Sequence, residues 1–316
     1  MIVTVTLNAA LDRTLRVPNF QLGRRNRADH SLPLPGGKGV NVARALKTLG
    51  EPVIATGLAG GRTGTQIIEQ LTAHGMLNDF VRIQDESRAS TAVIDPTTGQ
   101  QTEINEHGPE VDAAELGMLL DKIRYLSKGA DVFVLAGSLP RNVPVDYYAT
   151  LLQELRRNKL VTALDTAGPA LRAGLAGEPG VVSPNLFEAE EIVGHEFADE
   201  ADIAGAAEAI AQMGAENVLI HHEDGCIARI RPEGGRGGRT YRAALARRTD
   251  VISTVGSGDA FLAGYLSGFY GRQPVEAALA LAVACGAAST QRFGAGVFTP
   301  GDVGALRRQV EVPPLD

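Results

Sequence analysis

Short apolar runs rich in β-branched residues recur along the chain with helix-length stretches between them. This alternation constrains the fold more than any other feature of the sequence. Ile2–Leu7, Val53–Leu58, Val132–Leu135, Val161–Leu164 and Val218–Ile220 read as strands. Val40–Leu49, Thr65–His74, Ala113–Tyr125, Pro144–Arg157, Glu188–Val193 and Ile203–Met213 read as helices, and two more, about Gly258–Tyr270 and Pro274–Thr290, follow near the end. Such alternation implies an α/β fold: a mostly parallel sheet with helices on both faces, in three layers. The 316 residues suffice for one large domain or two smaller ones. Aromatics are only 5% and Trp is absent, so Ala, Gly, Leu and Val must do most of the packing, which suits close helix-on-sheet contacts.

Two regions break the pattern. Thr14–Leu34 reads as polar strands around Gly23, and Thr91–Asn105 as a hairpin turning at Thr97–Gln100. Both have one apolar side, and arginines lie nearby. The reading favoured here is a small sheet serving as a lid, over about 14–34 and 91–105; two unrelated surface loops are the alternative. Glu233–Arg239 (EGGRGGR) reads as a flexible turn between strands.

A net charge of −7 argues against a nucleic-acid partner. The basic knots, Arg24, Arg25 and Arg27, then Arg247 and Arg248, could hold one phosphate group but not a duplex backbone. Two isolated cysteines, Cys226 and Cys285, favour a reducing compartment over a disulfide framework. The N-terminus lacks the basic start and long apolar run of a signal peptide, and Val275–Ala288 is too short to cross a bilayer. A soluble, cytoplasmic chain with no membrane partner is expected.

Two glycine-rich entries into helices carry the chemistry. In Ser253–Gly264 (STVGSGDAFLAG), Gly256, Ser257 and Gly258 run into a helix whose first turn holds Asp259. Small residues admit a phosphate closely and the free N–H groups of a helix start face an anion. A carboxylate there makes sense if it accepts a proton from an attacking hydroxyl while the amides stabilise a transferring phosphoryl group. The plain alternative is an N-terminal helix Asp after a glycine turn. In Pro35–Leu46 (PGGKGVNVARAL) consecutive glycines precede another helix, with Lys38 and Asn41. Neither a Walker A loop nor a G-x-G-x-x-G after the first strand is present. Two such junctions imply two anionic groups held face to face, as phosphoryl transfer onto an already phosphorylated acceptor requires.

Both segments resemble the two signature regions of the PfkB, or ribokinase-like, carbohydrate kinase family. Asn8–Val17, Leu135–Pro144, Leu164–Leu171 and Ser183–Glu191 are similar to further family landmarks in order, so the resemblance covers nearly the whole chain. Within the family, TLNAALDRT, GGKGVNVARAL and TEINEHGP look most like bacterial 1-phosphofructokinases, with tagatose-6-phosphate kinases and minor 6-phosphofructokinases close by. The resemblance implies a single ribokinase-like kinase domain over 1–316, using ATP and Mg²⁺ to phosphorylate a ketohexose phosphate, fructose 1-phosphate first among the choices. It gives Asp259 the role of base and Gly256, Ser257 and Gly258 that of anion hole. Asp12, Gly37 and Asn41 match positions that hold sugar hydroxyls, and Arg27, Lys38 and Arg88, with Ser138 of the third landmark, the acceptor and its phosphate. Asn185 and Glu188 match an Asn-x-x-Glu element that organises Mg²⁺ through water; a plain helix-start carboxylate is the alternative for Glu188.

The departures lie on the nucleotide side. Ser183 stands where relatives commonly carry Lys, and His221, His222 and Glu223, before Gly225, stand where they have a small hydroxyl residue and Gly. Ser183, Asn185, His221, Glu223, Gly225, Gly256 and Gly258 are the nucleotide-binding positions on this reading. The two histidines are adjacent in a strand and point to opposite faces, so they do not readily share a metal. These departures keep open a second class of function, a sugar-phosphate-binding protein without turnover. An open-edged small sheet also suggests a homodimer formed through the lid.

Overall fold

The computed structural model describes residues 1–315 apart from Glu233, Arg236, Arg248 and Thr249. The expected 233–239 turn and the second residue of the Arg247–Arg248 knot therefore lie partly outside the described residues. The first half of the chain runs β1 (Ile2–Thr6), β2 (Ala10–Arg16), β3 (His30–Gly36), α1 (Lys38–Thr48), β4 (Val53–Gly60), α2 (Gly61–Ala73), β5 (Leu77–Asn78), β6 (Val81–Ile83), β7 (Arg88–Ile94), β8 (Gln101–Asn105), α3 (Ala113–Leu126) and β9 (Val132–Ala136). There follow α4 (Tyr147–Arg157), β10 (Val161–Asp165), α5 (Gly168–Gly174), β11 (Val181–Val182), α6 (Leu186–Val193), α7 (Glu200–Gln212), β12 (Asn217–His222), β13 (Gly225–Ile230) and β14 (Arg239–Leu245). Helices α8 (Ser257–Tyr270), α9 (Val275–Thr290) and α10 (Pro300–Arg307) and strand β15 (Val310–Glu311) complete the chain.

The large sheet has the order β15-β14-β13-β12-β11-β10-β9-β1-β4-β5, with β6 beside β4. It is parallel from β12 to β5 and antiparallel at the β12–β15 edge. Alternation along each strand separates two cores. Val132 and Val134 of β9 face α1, α2, α8, α9 and α10, whereas Phe133 and Leu135 face α3 to α7. Small residues bring the central pair of helices together: a Cβ on Gly264 of α8 would lie 2.7 Å from the Leu281 carbonyl oxygen of α9. Among the described residues no helix is long and apolar enough to cross a membrane.

A separate four-stranded sheet, β3-β2-β7-β8, carries both regions that break the alternation. It is longer than 14–34 and 91–105, because β2 starts at Ala10, β3 runs to Gly36 and β7 starts at Arg88. These extra ends are its buried roots: Ala10, Leu11 and Gly36 are covered by the main body, and only Leu7–Ala9 separates β2 from β1.

Candidate active site

Strand order on the large sheet reverses at β1, with β4 on one side and β9 on the other. Ligands in open α/β sheets bind outside the carboxyl ends of strands at such a switch. Here Asn8 follows β1, Gly137 and Ser138 follow β9, Asp165 ends β10, Asn185 follows β11 and His221 lies near the end of β12. All but Gly137 and Asp165 line one cleft of about 1530 Å³, larger than the roughly 300–1,000 Å³ of a typical single-ligand pocket. A side chamber of about 460 Å³ shares Lys38, Arg88 and Ser138 with it.

The residues at the small-sheet end of the cleft come together because glycines let them. A Cβ on Gly36 would lie 2.0 Å from Asp12 Oδ2, and one on Gly39 would lie 2.4 Å from Thr6 Oγ1. Gly37 sits at φ +90°, where a side chain is strained, and begins α1. Asn41, one turn into α1, donates from Nδ2 to Asp259 Oδ2 at 2.9 Å and, at 3.5 Å, to Asp12 Oδ2. Burial pushes the Asp12 carboxyl up to about 6, against the opposing pull of Asn41, Arg88 and Arg44. Asn8 donates to Ser138 Oγ at 3.0 Å, while its own Oδ1 is buried and takes no hydrogen bond, an acceptor left for a hydroxyl. Arg88, Ser90 and Asn105 of the small sheet line the same cleft.

Gly256 takes φ +74° as the residue before α8, and a Cβ there would meet the Gly296 nitrogen at 2.5 Å. The Ser257 N–H closes a turn onto the Thr254 carbonyl at 3.2 Å. That leaves the amides of Gly256, Gly258 and Asp259 as the helix-start donors with no carbonyl one turn back. Asp259 is buried, and burial, with Asp165 nearby, raises its carboxyl to about 7 against the pull of Lys38 and Asn41.

Lys38 stands between two carboxylates, 2.7 Å from Asp165 and 3.5 Å from Glu188. Burial alone would lower its pKa; Asp165, Glu188 and Asp259 outweigh that and raise it, so the ammonium persists. Asn185 and Glu188 form a reciprocal capping box at the start of α6, at 2.8 and 2.9 Å. Glu188 is raised, chiefly by burial. Among the described residues no three His, Cys, Asp or Glu side chains form a metal cluster. The donor set fits Mg²⁺ held mainly by phosphates and water, with Glu188 and Asn185 beside it, since this ion retains its waters.

His221 and His222 diverge as adjacent strand residues do. The His221 ring packs 5.2 Å from that of Phe261 and would press a Cβ on Gly258 at 3.0 Å; burial lowers it to about 4, so it is neutral. His222 accepts from the Asp224 N–H. Glu223 and Gly225 line the cleft. Two positions are not brought to it. Ser183 is buried with an unpartnered Oγ, and Arg27 is exposed in the loop between β2 and β3. Asp165, Asn8 and Arg44 are not among the residues singled out by sequence, although Leu164–Leu171, Asn8–Val17 and Pro35–Leu46 contain them in turn. A buried carboxylate ending a parallel strand was the available signal for Asp165.

Residues 5–301 match the family model described as pfkB family carbohydrate kinase. Phosphofructokinase-2 from Escherichia coli, solved with substrates and products, is 26% identical with a TM-score of 0.89, covering 97% of this chain and 98% of that one. A protein from Thermotoga maritima described as a possible 1-phosphofructokinase is 26% identical at 0.87 over 100% of both chains. A ribokinase from Arabidopsis thaliana, solved with ribose and ATP, is 19% identical at 0.73 over 97% and 98%, a likeness of fold alone. With nearly its whole length matched and its charged cleft at the sheet's switch point, the chain belongs to the pfkB family of carbohydrate kinases.

Proposed function

We propose that the chain transfers the ATP γ-phosphoryl group to the free primary hydroxyl of fructose 1-phosphate, giving fructose 1,6-bisphosphate. The observation that carries this is the buried Asp259 carboxyl, raised to about 7 at the start of α8 and tied to Asn41 at 2.9 Å. A base poised near neutrality takes the hydroxyl proton as the new O–P bond forms and the bond to ADP breaks. The Gly256 and Gly258 amides face the charge that develops on the phosphoryl oxygens. Asp12, Gly37 and Asn41 orient the sugar, and Arg88, Lys38 and Ser138 hold the far end with its phosphate; Arg27 joins them only if its loop moves inward.

The cleft's size suits two ligands at once, and Val255, Val283 and Ala287, with Gly225, offer apolar walls for a base. Mg²⁺, held beside Glu188 and Asn185, would neutralise phosphate charge. The small sheet acts as the lid that excludes water. Ile104 on β8 and Leu22 in the loop joining β2 to β3 are exposed, 59% and 88%, and pairing of two copies through this sheet is part of the proposal; sedimentation as a monomer at working concentration removes it. A cytoplasmic location, resting on two buried free cysteines, is a further part of the reading.

Fructose 6-phosphate is the second acceptor. It is favoured by the likeness to the Escherichia coli phosphofructokinase-2 that was solved with that sugar, 26% or less identical to this chain. A ketohexofuranose carries a CH₂O group on each side of its ring oxygen, so turning it over exchanges the two ends in one pocket. Coupled ADP release with ATP and Mg²⁺, offering fructose 1-phosphate, fructose 6-phosphate and tagatose 6-phosphate separately, decides the acceptor. Fastest turnover with fructose 1-phosphate is expected; a preference for another sugar keeps the mechanism and moves the substrate. Sugar-phosphate binding without ADP release from any of the three would overturn the reading.

A further inference from the structure

Arg44 lies one turn beyond Asn41 on α1, so the two side chains share a face. Its Nη1 donates to Asn41 Oδ1 at 3.2 Å and to the Ala295 carbonyl at 3.2 Å, with a longer contact of 3.5 Å to the Pro35 carbonyl. Pro35 belongs to β3, at the root of the small sheet. Ala295 precedes Gly296, whose N–H donates to the Val255 carbonyl at 2.9 Å and which blocks any side chain on Gly256. One guanidinium thus touches the root of the small sheet, the amide between two carboxylates, and the segment behind the glycine turn.

A guanidinium can only donate, whereas an amide has one donating and one accepting end. Asn41 must therefore turn Oδ1 towards Arg44, which leaves Nδ2 for Asp259 and Asp12. With the amide reversed, N–H groups would face the guanidinium and Oδ1 would face the carboxylates, unfavourable on both sides. We propose that Arg44 is a positioning residue for phosphoryl transfer: it fixes the orientation of Asn41 and, through that amide, the placement of Asp259 against Asp12 and the glycine turn. Its charge also bears on both carboxylates. Burial lowers the Arg44 pKa while Asp12 and Asp259 oppose the shift.

The inference rests on Asp259 being the base, and that reading fails separately, if Asp259→Asn keeps wild-type turnover. The groups bearing on Asp259 are Asp165 at the end of β10, Lys38, Asn41 and Arg44 on α1 and Asp12 on β2, while the neutral His221 on β12 packs beside Gly258. Removing the cation leaves Asp12 and Asp165 less opposed, so Asp259 should hold its proton to higher pH. The test is steady-state kinetics of Arg44→Met and Arg44→Lys across neutral pH, with ATP, Mg²⁺ and the acceptor that the full-length wild type turns over. Arg44→Met should lower kcat on the order of 10- to 100-fold, as loss of alignment does. It should leave KM for ATP near wild type and move the acid limb of kcat/KM to higher pH. Arg44→Lys should leave the limb in place yet lower kcat, because one ammonium cannot span Asn41 and Ala295. A wild-type kcat in Arg44→Met overturns the proposal, and so does a lowered kcat with an unmoved limb, which would mark a packing role only. If Arg44→Met does not fold, Arg44→Gln, which also removes the charge, takes its place: lowered kcat with the acid limb moved to higher pH supports the proposal, and wild-type kcat or an unmoved limb overturns it.

Discussion

The two glycine-rich entries into helices look alike in sequence and differ in what their glycines do. At α1, Gly36 and Gly39 are small because side chains press on them, Asp12 on the first and Thr6 on the second. The helix then presents a cation, Lys38, to two carboxylates and an amide, Asn41, to two others. At α8, Gly256 is constrained by backbone, the 295–296 segment, and Gly258 by the His221 ring. That helix presents open N–H groups and a carboxylate. One junction arranges charged and amide side chains, and the other presents open backbone amides. The two helices pack together, and Asn41 of one donates to Asp259 of the other. A glycine run before a helix is therefore not by itself an anion site; what its missing Cβ makes room for decides its role.

Substitutions should break this contrast in graded fashion. Asp259→Asn should lower kcat by about 10²–10⁴-fold, the range for loss of a general base, with acceptor KM nearly unchanged. For the wild type, the base works only when ionised. With Asp259 raised to about 7, kcat/KM should fall as pH drops through that value; a profile flat from pH 8 down to about 5 would remove Asp259 from the role. Next in size, Gly36→Ala drives a Cβ into the Asp12 carboxylate. Losing a charged hydrogen-bonding group costs about 1.5–3 kcal/mol, so acceptor KM should rise roughly ten- to a hundredfold, with KM for ATP little changed.

Gly258→Ala meets a side-chain ring at 3.0 Å that can shift by a few tenths of an ångström. Its effect should be smaller, less than about tenfold, and should fall on kcat rather than on acceptor KM. An acceptor-KM defect in Gly258→Ala equal to that of Gly36→Ala would show that the two junctions do not divide the work. Smallest of all is Ser183→Ala. It removes a buried hydroxyl with no partner, so stability by denaturant titration should change by about 1 kcal/mol or less, and KM for ATP should not move, because Ser183 is off the cleft lining.

Several residues that line the cleft stand in motifs visible in the chain: Asp259 after a glycine turn, Asn41 one turn into α1, and the Asn185–Glu188 spacing of a capping box. Asp165 was less legible, since nothing local distinguishes it from other strand-end carboxylates until Lys38 is placed beside it. Arg44 was not legible at all. Its three acceptors come from β3, from its own helix and from residue 295, and only folding brings them to one nitrogen. The small sheet was placed by its break in periodicity, and its strands extend inward beyond those bounds, from Ala10, to Gly36 and from Arg88. Arg27 matched a phosphate-binding position by motif, yet lies exposed outside the cleft lining.

Periodicity and glycine placement are local properties, carried by neighbours in the chain. They suffice to specify layered α/β architecture and the two helix entries. The protonation states and orientations that make those groups a site depend on burial and on charges distant in sequence. Asp259 and Asn41 are 218 positions apart, and Lys38 and Asp165 are 127 apart. Which amide end faces which carboxylate, and how far burial raises Asp259, were decided only when the chain closed on itself, because desolvation and Coulomb interaction depend on distance in space.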